Sequence, residues 1–236
     1  MAKLFSCATL IPTEDHSKDS NNTGSHREKR SIAYDTYFWP QHSTLKVGFF
    51  VEDQDFIYLL KSTIKAWTPY INLKIEFIDD VKKAHIRISD SPLHNRGNWC
   101  NVGTGALNTP KDQPTMHFEV EPDDLLEDLE RTILHEFGHA LGLAHEHQHP
   151  DATIDWNLPN VYKYLKEQHG WAKELTYEQV LKKMDRSQQY AAPYDRESIM
   201  HYDFPGFMVW NKKDILGGML LSNKDIEFIK TVYPPK

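Results

Sequence analysis

The sequence predicts an α+β fold, a mixed sheet with helices packed on it, and three observations carry that prediction. Residues 73–79 (LKIEFID) and 84–90 (AHIRISD) alternate apolar and polar side chains, as half-buried strands do. Residues 54–68 place Ile57, Leu60, Ile64 and Trp67 at spacings of 3, 4 and 3, which is one face of a helix. The order strand, helix, strand, strand, strand, helix then suggests helices laid against a mixed sheet.

The individual elements follow in chain order. Residues 1–12 are too short and too broken by Ser6, Cys7 and Thr9 for a usual secretory signal, which leaves the compartment open between cytoplasmic and exported. Residues 13–30 contain no large apolar side chain, so 1–30 reads as a flexible tail or pro-segment ahead of a single domain, 31–236. TLKVGFFV (44–51) has the β-branched and aromatic content of a strand, and PTMHFEV (114–120) is another short one. The acidic run 121–130 suits the first turn of a helix whose Leu129, Ile133 and Phe137 recur every four residues. Thr176 with Gln179, and Ser222 with Asp225, read as capping-box pairs opening two later helices.

Composition narrows the function. The chain has 236 residues, 27 Lys+Arg against 34 Asp+Glu and hence a net charge of −7. With no Lys/Arg-rich tract, nucleic acid is not expected as the partner. No apolar run reaches the 18 or so residues of a membrane span, so no membrane partner is expected either, and protein or peptide substrates remain. Two cysteines, Cys7 and Cys100, make no disulfide framework, so the fold rests on a core, a metal, or both.

The metal is suggested by three of the 13 histidines, which fall within residues 135–145, HEFGHALGLAH. On a helix His139 lies about 40° round from His135 and about 6 Å along it, so both imidazoles reach one ion. Glu136 sits to the side, near a water on that ion without being aimed at the ion itself, as a general base would. A helix continued to His145 would carry it about 9 Å past His139, too far for a shared ion with bonds of about 2.1 Å. The helix must break, and Gly142 stands where a residue of positive φ is needed.

HEFGHALGLAH resembles the extended zinc signature of the metzincin metallopeptidases. Glu146 directly after it and SIMHY at 198–202 make the chain similar to the astacin family. WCNVG (99–103) and LSNKDIEFIKTVYP (221–234) are similar to further stretches of that family, and the likeness spans roughly 31–235. The resemblance implies a metzincin-like zincin fold: a twisted mixed sheet with an active-site helix (31–145, the upper subdomain) and a less regular C-terminal subdomain (146–236). It implies a zinc endopeptidase with one Zn²⁺ on His135, His139 and His145, Glu136 as general base, Met200 as an apolar floor and Tyr202 as stabiliser of the oxyanion. It implies substrate pairing along 114–118 as an exposed edge strand. Two departures stand out: the four cysteines typical of animal members are missing, and HEHQHPD (145–151) lacks the arginine usual after the third ligand, which places the chain nearer disulfide-free bacterial relatives.

Several residues carry secondary expectations. Cys7 is a candidate thiolate for the open zinc position, and Lys29-Arg30 a candidate activation cut, although the family's F-x-G-D pro-segment motif is absent. His147 and His149 are expected outside the metal shell and His201 is expected to point away. Glu146 is expected either at a processed N-terminus or in a local loop contact. A His-His-Glu site using Glu167, Glu174 or Glu178 and a catalytically silent zinc-stabilised binding module are the rival readings.

Overall fold

The alternating and β-branched segments pair into one six-stranded sheet. Its strands are β1 (Cys7–Leu10), β2 (Thr44–Phe49), β3 (Lys74–Phe77), β4 (Ile86–Ser89), β5 (Asn98–Asn101) and β6 (Met116–His117), in the order β1-β5-β6-β4-β2-β3. The computed structural model describes residues 7–10, 35–94, 97–184 and 193–235. β3, β2, β4 and β6 are mutually parallel, β5 runs antiparallel to β6 through Trp99↔His117 and Cys100↔Met116, and β1 is parallel to β5. The sheet is therefore mixed, as expected.

Two placements differ from the sequence reading. The 114–118 segment is not an edge, because β6 is flanked by β4 on one side and β5 on the other. Beyond β6 at that end of the sheet comes β5, and β1 is the edge strand outside it. Four residues of the stretch read as tail or pro-segment are thus ordered as a strand: the unpaired N–H and C=O groups of β5 accept a short neighbour whatever its side chains. Lys29-Arg30 and the rest of that stretch lie outside the described residues.

Helix α1 (Gln54–Ile64) starts on Asp53, whose carboxylate accepts from the Asp55 and Phe56 amides. The helix expected to run to 68 tightens into a 3-10 turn over Lys65–Tyr70, where Pro69 has no amide to donate, yet Trp67 stays buried and its Nε1 donates to the Leu134 carbonyl. Helix α2 (Leu126–Ala140) packs against α1 and β5, and every residue from Arg131 to Ala140 is buried. Leu45, Leu60, Ile64, Trp67, Ile86, Phe118, Ile133 and Phe137 form the centre of this core.

Beyond α2 come α3 (Leu158–His169), closed by Gly170 in the left-handed region, and α4 (Lys173–Thr176), which runs on into a wide turn over Tyr177–Leu181. Thr176 is therefore not an N-cap: the chain is already helical from Lys173, and its motif match with Gln179 opens nothing. Helix α5 (Asn223–Val232) does open with the expected capping box, Ser222 and Asp225. Val161, Leu165, Val180, Tyr202, Phe204, Met208 and Val209 make a second, smaller apolar cluster. α5 does not join it: Phe228, Ile229, Val232 and Tyr233 return to the first core, where the Tyr233 hydroxyl donates to the Leu141 carbonyl at 2.8 Å. Among the described residues no helix is long and apolar enough to cross a membrane.

Candidate active site

The helix break demanded by the histidine spacing is present. α2 ends at Ala140, Gly142 takes φ 100°, and the Gly142 and Leu143 amides donate back to the His139 and Gly138 carbonyls at 2.8 and 3.0 Å. A Cβ at residue 142 would stand 2.7 Å from the Phe38 ring, so close approach as well as positive φ requires glycine. The reversal brings His145 back over the helix end. His139 Nε2 then lies 3.1 Å from His135 Nε2 and 3.0 Å from His145 Nε2.

These distances suit one tetrahedral ion, whose nitrogen ligands at about 2.0–2.1 Å would stand about 3.3–3.4 Å apart. The donor set points the same way. His135 Nδ1 lies 2.7 Å from the Ile199 carbonyl and His139 Nδ1 2.8 Å from the Leu143 carbonyl. A carbonyl only accepts, so each Nδ1 carries the proton and each Nε2 turns a lone pair into the shared space. Burial keeps the rings neutral: it depresses His139 to about 4 and holds His135 and His145 well below the usual imidazole range. Lone pairs facing one another at 3 Å are reconciled by a cation between them. Among the described residues, no other group of three His, Cys, Asp or Glu side chains has this convergence.

The neighbours of the trio complete the site. Glu136 is fully buried, and its charge reaches Cys100 on β5, a free thiol pushed well up by burial and by that carboxylate. Tyr202 is fully buried, with its ring 4.4 Å from that of His145 and 5.8 Å from that of His135. Met200 lies against α2 at its one residue without a side chain: a Cβ on Gly138 would overlap the Met200 sulfur.

The segment 198–204 has no regular structure and is held by side chains from elsewhere. Asp225 accepts from Ser198 Oγ at 2.6 Å and the Ile199 amide at 2.8 Å, Ser198 Oγ accepts from the Met200 amide, and the Glu146 amide donates to the Met200 carbonyl. Burial raises the Asp225 pKa against these bonds. Glu146 Oε1 accepts from the Asp195 amide at 2.7 Å, the local loop contact of the two expectations, and burial pushes Glu146 up to about 8.

The remaining histidines stay out of the trio. His147 Nε2 meets the Gln179 carbonyl, His149 Nδ1 accepts from the Asp151 amide, and His201 lies between the Tyr194 hydroxyl and the Tyr202 carbonyl. Glu167, Glu174 and Glu178 are exposed, which removes the basis for a His-His-Glu site. Sequence reasoning missed Asp225 as a support of the Met200 segment and missed a buried ion pair between Arg131 and Asp203, 72 residues apart. The one available signal was the position of Arg131, four residues before His135 on the same helix face.

A family model described as Astacin, a peptidase family, matches residues 127–233. The solved structure of myroilysin superimposes with a TM-score of 0.80 at 30% identity, covering 86% of this chain and 98% of that one. The chain belongs to the astacin family. Zinc metalloproteinase nas-5 of Caenorhabditis elegans is 32% identical over 108 residues, 45% of this chain, so this astacin spans only about a quarter (26%) of that relative's length. High choriolytic enzyme 1, a hatching enzyme zinc-protease from Oryzias latipes, shares the fold: TM-score 0.58 at 16% identity, covering 88% of this chain and 100% of that one. The metzincin-like fold expected from the resemblance is the one observed, and His135, His139 and His145 converge as a candidate zinc-binding site of the HEXXH type.

Proposed function

We propose that the chain is a zinc-dependent endopeptidase that hydrolyses peptide bonds of protein substrates. The observation that carries the reading is the convergence of three neutral imidazoles, two of them oriented by backbone carbonyls, directly beside the buried Glu136. Zinc bound there would supply an open coordination position, a water acidified towards a pKa of about 7, and a Lewis acid for the scissile carbonyl.

The chain's own residues do the rest. His135 and His139 hold their Nε2 lone pairs in place through the carbonyl contacts behind them, and the turn at Gly142 brings His145 Nε2 to the same point. The Glu136 carboxylate takes the proton of the attacking water and passes it to the leaving amine nitrogen. The Tyr202 hydroxyl donates a hydrogen bond to the oxyanion that develops on the carbonyl. Met200 gives the site an apolar floor that keeps water from beneath it. An extended substrate pairs by β-augmentation with β5, the strand whose Cys100 feels the Glu136 charge, and β1 must leave for it to do so. In this reading residues 1–30 act as a pro-segment, and cleavage at Lys29-Arg30 frees the edge. Mass spectrometry of active protein is expected to find residues 1–30 removed, and fully active intact chain would refute that step.

Proteome-wide identification of cleavage sites with wild type and Glu136→Ala tests the main reading. New N-termini produced by wild type alone are expected. Zinc-loaded wild type that cleaves nothing, indistinguishable from Glu136→Ala, would leave a zinc-stabilised binding module instead.

A further inference from the structure

The segment that carries Tyr202 is tied to α2 by an ion pair that the mechanism above does not use. Arg131 lies one turn before His135, about 40° round the helix, so it shares the ligand face. Its Nη1 donates to Asp203 Oδ2 at 2.6 Å and its Nη2 to Asp203 Oδ1 at 2.8 Å, with the two residues only 4% and 8% exposed. The Gly217 amide donates to the same Oδ1 at 2.6 Å. A Cβ on Gly217 would overlap the His201 carbonyl and stand 3.0 Å from Arg131 Nη2. Three stretches of chain therefore meet around the Asp203 carboxylate with no room to slide.

Asp203 is the residue after Tyr202. On the other side, His201 reaches the Tyr202 carbonyl with Nδ1 at 2.7 Å and the Tyr194 hydroxyl with Nε2 at 2.8 Å. Both chain neighbours of Tyr202 are thus pinned, which leaves the tyrosine only its side-chain torsions. Burying two charges gains little net stability over an apolar pair of the same size, whereas a bidentate guanidinium–carboxylate pair fixes distance and orientation together.

We propose that the Arg131–Asp203 pair is a positioning device: it locks the main chain of Tyr202 in register with His135, so that the hydroxyl meets the developing oxyanion without a search. This rests on the endopeptidase reading. Arg131 and Asp203 touch no reacting atom and act through Tyr202.

The test uses full-length zinc-loaded protein carrying Asp203→Asn, Arg131→Lys, Tyr202→Phe and the Tyr202→Phe/Asp203→Asn pair. Zinc content is expected to stay at one per chain in all. Asp203→Asn and Arg131→Lys should each lower kcat about tenfold or more on a peptide substrate with KM within about twofold, the signature of an interaction felt only in the transition state. Adding Asp203→Asn to Tyr202→Phe should cost little further, because the pair works through that tyrosine. In zinc-free protein, amide hydrogen exchange over 199–204 should quicken in Asp203→Asn while α2 keeps its protection. If the single variants fold poorly, the apolar replacement Arg131→Met/Asp203→Leu restores packing and is expected to keep the kcat loss. Unchanged kcat, or a loss fully additive with Tyr202→Phe, overturns the proposal. If wild type hydrolyses no peptide at all, the endopeptidase reading fails instead, and unchanged exchange over 199–204 would then refute the positioning role by itself.

Discussion

Helix α2 and the segment 198–204 line the same site and are built by opposite means. In α2 the position of every ligand follows from 1.5 Å and 100° per residue, so His135 and His139 converge because they are four apart. The 198–204 segment has no such period. Ser198 and Ile199 are held by Asp225 from α5, and Asp203 by Arg131 from α2. Local geometry makes the metal site; long-range hydrogen bonds make the surface beneath and beside it. Damage to the first should therefore appear as lost metal, and damage to the second as lost rate or stability with metal retained.

The sharpest way to break that distinction is His139→Ala, expected to abolish both zinc binding and hydrolysis, since His139 is the imidazole within about 3 Å of both others. Glu136→Gln, also on α2, should keep zinc and lose about 10²–10⁴ in kcat, the usual worth of a general base, as a single-turnover assay would show. On the other side of the comparison, Asp225→Ala removes two bonds to a charged acceptor from the Met200 segment. It should lower stability by about 2–3 kcal/mol in urea titration without stripping zinc. Gly142→Ala lies where the two regions meet, and its strained backbone should cost about 1–3 kcal/mol and weaken zinc retention by displacing His145. Glu167→Ala, on the exposed face of α3, should change stability by less than about 0.5 kcal/mol and leave zinc content as it was.

The same contrast explains what can be read from the sequence. The ligand trio, the break at Gly142 and the Ser222–Asp225 capping box are consequences of short-range spacing, and each is legible. Strand order is not short-range: nothing in PTMHF says that β5 will pair beyond it, so the edge position carried over from the family resemblance goes uncorrected by the sequence, and CATL at 7–10 gives no sign that it will find β5. Thr176 and Gln179 match a local motif, but the helix begins upstream at Lys173, so the motif has no end to cap. Met200 and Tyr202 come from family resemblance, since no spacing rule connects residue 200 to residue 139. Arg131 and Asp203, 72 residues apart, belong to the same class and have no resemblance to point at them.

The most direct measurement is the metal content of folded protein by elemental analysis, in wild type and in His145→Ala. One zinc per wild-type chain and none in the variant is expected, with circular dichroism showing both folded. A folded wild-type chain that takes up no zinc, or a His145→Ala protein that holds zinc as tightly as wild type, would contradict a metal centre made by these three imidazoles.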